Sequence, residues 1–161
     1  MSTPKNIGLL QLGVRSTSFY KNYLDKLLAK KFSGQTTCPV TVIETDFVEI
    51  NSHLPDHFDR LVPLVNQYLT SLTFDRLIVP NITLHETLDK IPSVNPVHPV
   101  KETIHSLLKD GHRHVMLLGS KYSMTASYLP AMLEASGLGV TTPLQEDQNQ
   151  LDTCRKKIYA S

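Results

Sequence analysis

The sequence of 161 residues has only two cysteines, no tryptophan and 7% aromatic residues. Cys38 and Cys154 cannot build the multi-disulfide framework that stabilises many small secreted domains. Long apolar runs are also lacking, since the longest fall far short of the ~20 residues that a membrane-spanning helix needs. The 16 Lys and Arg nearly balance the 15 Asp and Glu. The whole chain therefore has no field that attracts nucleic acid or an anionic membrane.

The remaining composition is that of an ordinary globular protein, with 40% hydrophobic and 19% charged residues. Residues 1–6 lead directly into a strand-like run, without the apolar core of a signal peptide. We therefore expect a cytoplasmic protein whose cysteines stay reduced, with neither nucleic acid nor a membrane as partner.

Short apolar runs alternate with longer segments of helical periodicity. Five runs predict strands, at residues 7–12, 40–45, 76–80, 114–118 and 139–142. Five segments predict helices, at residues 16–31, 55–72, 83–91, 100–110 and 122–136. Gly111 and Gly137 follow two of them at the place of a helix C-cap. This alternation predicts an α/β fold, a parallel sheet with helices on both faces.

A segment without periodicity, residues 91–99, contains three prolines and predicts a linker. We expect a boundary near residue 95, between an α/β domain over 1–95 and a partial second α/β domain over 96–161. The second part has two strand signals, whereas a free-standing sheet usually has roughly five strands. Because an incomplete sheet leaves an unpaired edge, we expect a homo-oligomer or a partner chain.

Polar residues follow three of the predicted strands, at the edge where parallel sheets bind ligands. In residues 11–17, Ser16 or Thr17 is predicted to be a helix N-cap that leaves backbone N–H groups for a carboxylate or phosphate. A P-loop is excluded, because the Gly-Lys-Ser/Thr ending is missing. A helix cap without any ligand remains the alternative here and at the two other places.

The second and third places have the same pattern. In residues 80–85, Asn81 and Thr83 offer short polar groups, and His85 is a group that titrates near neutral pH. In residues 119–124, Ser120 or Ser123 is predicted to cap a helix while contacting an anionic ligand. No metal site is expected, because the histidines near residues 105–114 have no Cys or carboxylate at ligand spacing.

Taken together, these motifs resemble the aspartate/glutamate racemases, a family of isomerases that need no cofactor. Asn81–His85 resembles the family's Cys/Thr-Asn-Thr-x-His active-site turn, and Leu117–Met124 resembles its Leu-Leu-Gly-Thr-x-x-Thr-Met motif. Further pieces lie in the family's order along the chain: residues 7–10 with 16–20, residues 45–50, His98 with Thr103, and Ile158-Tyr159.

The resemblance implies an amino-acid racemase acting on a small amino or dicarboxylic acid, without cofactor or metal. Racemisation needs two acid/base groups flanking the α-carbon, and the family uses two thiols, one from each half. By the same resemblance, Asn81 occupies the first catalytic position and His85 lies beside it. The implied substrate-binding residues are Ser16, Thr17, Thr83, Ser120 and Ser123.

The sequence departs from the family at both thiols. Asn81, or Pro80 if the alignment shifts by one residue, stands at the first position, and neither carries a proton at neutral pH. The family's second thiol lies in a Gly-Cys-Thr segment beyond Ile-Tyr, which this sequence lacks, and Cys154 is not in the required turn. We therefore expect a pseudoenzyme that binds an acid. Two alternatives stay open: an incomplete or split racemase that needs a partner chain, and a non-enzymatic interaction module.

Overall fold

The computed structural model describes residues 6–32, 37–70 and 72–160. For residues 159 and 160 it describes the backbone alone. Contacts divide the chain into two compact units, Met1–His98 and Pro99–Ser161. Residues 96–98 belong to the first unit because Pro96 bridges to Leu77 of the sheet. That the units are separate domains with a boundary near residue 95 stays a prediction. In the described ranges, no helix is long and apolar enough to cross a membrane.

The first unit is built around a three-stranded parallel sheet in the order β2-β1-β3. Its elements are β1 (Ile7–Leu10), α1 (Val14–Lys31), β2 (Val40–Ile43), α2 (Phe47–His53), α3 (Phe58–Leu69), β3 (Arg76–Ile78) and α4 (His85–Leu88). Leu9 of the central strand pairs with Val42 on one side and Ile78 on the other. The predicted parallel α/β architecture is confirmed.

The core of the first unit lies on both faces of β1. Leu9 and Leu10 are both fully buried. Consecutive strand residues point to opposite faces, so both faces of β1 are covered. On one side, α3 buries Leu61, Val65 and Leu69 at a spacing of four residues. This packing fixes the strands whose ends carry the polar turns.

The second unit has a two-stranded parallel sheet among its described residues. Its elements are α5 (Pro99–Lys109), β4 (His114–Met116), α6 (Lys121–Thr125), α7 (Tyr128–Ala135), β5 (Gly139–Thr141) and α8 (Gln145–Ala160). Both predicted glycine caps are confirmed, with φ of 81° at Gly111 and 84° at Gly137. After Gly111, the His112 N–H donates to the Leu107 carbonyl at 2.9 Å, which closes a Schellman motif.

Two helical segments differ from the prediction. The predicted helix over 122–136 is divided into α6 and α7, because Pro130 has no N–H to bond the carbonyl of residue 126. The helix predicted over 55–72 begins only at Phe58, and the sequence did not predict the separate α2 before it. The start of α2 is fixed by Asp46, whose Oδ1 accepts from the Glu49 N–H at 3.0 Å.

Candidate functional site

Two polar loops of the first unit leave the same edge of the sheet. β1 and β3 are parallel neighbours, so the residues after Leu10 and after Ile78 emerge side by side. The first loop is anchored at its start, since the Gln11 N–H donates to the Ile43 carbonyl at 2.9 Å. The Thr45 hydroxyl donates to the Gln11 carbonyl at 2.6 Å. The loop therefore leaves the sheet in a fixed direction toward α1.

The prediction that Ser16 or Thr17 is the N-cap of the first helix is wrong. α1 begins at Val14 with Gly13 as its N-cap, and both hydroxyls lie inside the first turn. The Ser16 and Thr17 hydroxyls donate to the Gly13 carbonyl at 3.0 and 2.8 Å. Both hydroxyl protons are used in these two hydrogen bonds. The donors that an anion would meet are therefore the backbone N–H groups of the first turn.

The turn after β3 contains Asn81, Thr83 and His85, which the structure brings together. The Asn81 Oδ1 accepts from the Leu84 N–H at 3.1 Å, as an N-cap does. Asn81 and Thr83 are half-buried, and Ile82 between them is 41% exposed. The short polar side chains are thus available at the edge of the sheet, while the asparagine also shapes the turn.

His85 lies beneath this turn, in a cluster that we call the histidine network (Val79, His85, Asp89 and His98). The His85 ring is fully buried, with Nε2 at 3.3 Å from the Val79 carbonyl oxygen. Its centroid is 4.7 Å from that of the His98 ring. His98 Nε2 is 3.7 Å from Asp89 Oδ2, an ion-pair distance that is too long for a hydrogen bond. The structure places His85 away from solvent.

The loop after β4 is confirmed as a capped helix start. The Ser120 Oγ accepts from the Ser123 N–H at 3.1 Å and lies 2.9 Å from the Ser123 Oγ. Ser123 is buried and Ser120 is half-buried. If the Ser123 hydroxyl donates to Ser120, the Ser120 proton is left for an outside acceptor. Of the two predicted serines, Ser120 is the more exposed.

Asp152 of α8, which the sequence did not single out, supports this loop. Its carboxylate accepts from the Lys121 backbone N–H at 3.1 Å and lies 2.8 Å from the Lys156 Nζ. Arg155 approaches the same carboxylate at 2.9 Å. The hydrogen bonds from Lys156 and Lys121 hold the pKa of Asp152 well below its usual range. The signal available in the sequence was the pair of basic residues three and four positions after Asp152, Arg155 and Lys156, a spacing that favours ion pairs on one helix face.

The remaining candidates lie elsewhere. Cys154 is exposed on α8, and Cys38 is half-buried just before β2. Burial and the nearby Asp25 raise the pKa of the Cys38 thiol, which makes it a poor proton carrier at neutral pH. Within residues 6–32, 37–70 and 72–160, no group of three or more side chains is arranged to hold a metal ion.

Comparison with solved structures identifies the fold. A candidate Asp/Glu racemase from Yersinia pestis superposes with a TM-score of 0.86, at 20% identity, over 95% of this chain and 70% of that chain. The chain has the racemase fold. An aspartate racemase homologue from Pyrococcus horikoshii matches with a TM-score of 0.66 at 20% identity, covering 92% of this chain and 69% of that one.

A third structure agrees. The aspartate racemase of Picrophilus torridus gives a TM-score of 0.63 at 15% identity, over 90% of this chain and 64% of that chain. No protein-family profile and no curated protein matches the sequence. The resemblance that the motifs indicated is therefore confirmed in the fold, while the chemistry depends on the residues described above.

Proposed function

We propose that this chain is a racemase-like protein that binds a small amino or dicarboxylic acid but does not racemise it by a two-thiol mechanism. The observation that carries the proposal is a racemase fold with Asn81 in the turn after β3. An amide side chain neither takes up nor releases a proton at neutral pH. His85, the other catalytic candidate in this turn, is fully buried, which does not suit direct transfer to a substrate carbon.

Each unit, taken by itself, offers hydrogen-bond donors for a carboxylate. In the first unit, α1 is 18 residues long, and its first-turn N–H groups and macrodipole favour an anion near Gly13. Thr83 lies in the turn after the neighbouring strand β3 and offers a hydroxyl at the same edge. In the second unit, Ser120 is half-buried, and its hydroxyl proton is left for a ligand when Ser123 donates to it. Each of these groups supports binding of an α- or side-chain carboxylate. Ser16, Thr17 and Ser123 form hydrogen bonds within the same turns and so hold the donor groups in place.

The test combines binding with isotope exchange. We would titrate the protein with L- and D-aspartate and L- and D-glutamate, following its melting temperature, and incubate each acid with it in heavy water. Binding of one acid at a hundred times its Kd should stabilise the protein by about 2.7 kcal/mol. No deuterium should appear at the α-carbon. Exchange on the purified chain would overturn the inactivity, and no response to any acid would favour an interaction module.

A gain-of-function variant tests whether the bound acid lies near residue 81. If its α-carbon lies near residue 81, Asn81→Cys supplies a single proton carrier, and α-deuterium exchange should then appear for one enantiomer. The matched control is Asn51→Cys, which adds a thiol at an exposed position of α2. Equal exchange in both variants would contradict the proposed location.

We also propose that the chain assembles as a homo-oligomer in the cytoplasm, where the free thiols of Cys38 and Cys154 stay reduced. The sheet of the second unit supports association, because apolar side chains are exposed at the end of β4 (Met116, 63%) and two residues beyond it (Leu118, 57%). Sedimentation at micromolar concentration should show a species larger than 18.1 kDa. A clean monomer that gains mass and exchange activity only with another chain would instead support the split racemase.

A further inference from the structure

The end of the proline-rich segment is attached to β3, although its sequence predicts only a linker. Pro96 forms a parallel bridge with Leu77, and the Val97 N–H donates to the Leu77 carbonyl at 2.8 Å. These two contacts hold the backbone just before His98 alongside the strand. The backbone position of His98 is therefore fixed relative to β3.

Two histidine side chains connect this segment to the turn after β3. The His98 ring lies against the His85 ring, with centroids 4.7 Å apart and planes tilted by 50°. His85 Nε2 is 3.3 Å from the Val79 carbonyl oxygen. Because a carbonyl only accepts, this contact is a hydrogen bond when His85 carries its ring proton on Nε2. The two rings are 0% and 4% exposed, so no solvent competes for these contacts.

The contacts form a closed circuit. It runs from β3 through the bridge at Leu77 to His98, then through His85 to Val79, the residue that follows β3. Asp89 Oδ2 lies 3.7 Å from His98 Nε2, so a carboxylate stands at ion-pair distance from the second ring. Residues 80–84, including Asn81 and Thr83, are the chain segment between Val79 and His85, two members of this circuit that contact each other.

We propose that His98 is a positioning residue, which fixes the turn of residues 80–84 at the carboxyl end of β3 by holding His85 on the Val79 carbonyl. His98 itself does not touch the ligand. Its effect on ligand affinity rests on the proposed function, whereas its effect on the His85 ring and on the turn does not. A histidine that merely fills space would be replaced without consequence by an apolar side chain of similar size.

The test variant is His98→Leu, which keeps the volume and removes the imidazole. In the wild type, the 15N shifts of the His85 ring should report the Nε2–H tautomer. In the variant, that signature should be lost or mixed, and the backbone amide shifts of residues 81–84 should move. The Kd of the best binder among L- and D-aspartate and L- and D-glutamate should rise about tenfold, by analogy with the loss of a residue that orients a metal ligand.

His105→Leu is the matched control, because His105 is exposed on α5 in the other unit. It should change neither the His85 ring nor the turn. If His98→Leu does not fold, Asp89→Ala replaces it, since Asp89 is exposed, and the His98 and His85 ring shifts should change in that variant. A folded variant with the His85 tautomer and the turn amides unchanged would overturn the proposal. If the wild type binds none of the four acids, the proposed function fails, and the ring and amide shifts still decide the role of His98.

Discussion

Replacing Asp152 tests the support of the Ser120 loop. In Asp152→Asn, the new amide NH₂ faces the donors of Lys156 and Arg155, and the charge-assisted bond to the Lys121 N–H is weakened. A hydrogen bond to a charged group contributes about 1.5–3 kcal/mol and an exposed ion pair about 0.2–1 kcal/mol. Lys156 is 69% exposed, so the backbone bond dominates. We expect a loss of about 2 kcal/mol in the free energy of unfolding.

Urea denaturation and amide hydrogen exchange measure this loss. With a slope of about 2 kcal/mol per molar, the urea midpoint should fall by about 1 M. Exchange of the Lys121 amide should accelerate about 30-fold, which corresponds to the same ~2 kcal/mol. Glu134→Gln, at an exposed position of α7, is the matched control and should change stability by less than about 0.5 kcal/mol.

The pH dependence gives a second measurement. The folded-state pKa of Asp152 lies below its ordinary value of 3.8, so its stabilisation is complete above that value and is lost as the pH falls through the lowered pKa. The stability gap between wild type and Asp152→Asn should be constant from about pH 7 to 5 and narrow below about pH 4. A gap under about 0.5 kcal/mol at pH 7, or one that widens in acid, would refute the reasoning.

Two further substitutions test the core and a cap. Leu77→Ala removes a fully buried side chain from β3 and should cost about 2–5 kcal/mol by urea denaturation, whereas the more exposed Leu72→Ala should cost under about 1 kcal/mol. Gly111→Ala places a Cβ at φ 81° with no atom within 4 Å, so its cost of about 1 kcal/mol should come from the backbone alone. Gly111→Asn should recover part of that stability, and an Ala variant as stable as wild type would contradict the left-handed cap.

Local sequence signals predicted the features that depend on neighbouring residues. The three strands of the first sheet lie within the predicted runs, and Ser120 caps its helix by bonding a residue three positions later. The contacts of Asp152 and His98 were not predictable in this way. Lys121 is 31 residues from Asp152 in the chain, and His98 reaches its place only because Pro96 pairs with β3. Both contacts depend on sheet register and helix packing, which a single sequence does not encode locally.

The start of α1 shows a different limit. Ser16 and Thr17 are preferred N-cap residue types, yet the helix begins two positions before Ser16, where the Gly13 carbonyl accepts the first intrahelical bond from the Thr17 N–H. Both hydroxyls donate to that same carbonyl. The residue types correctly indicated a helix start, while the choice among adjacent candidates depended on the backbone conformation at the glycine.

The proline beside β3 also affects how the first unit behaves at high concentration. An outer strand with free N–H groups is a template for strand addition, which leads to fibril growth. Pro96 occupies the outer side of β3 at Leu77 and offers no N–H to an incoming chain. Pro39 stands at the start of the opposite outer strand. These prolines therefore hinder amyloid-like strand addition at the β3 edge of the sheet, and in part at the β2 edge.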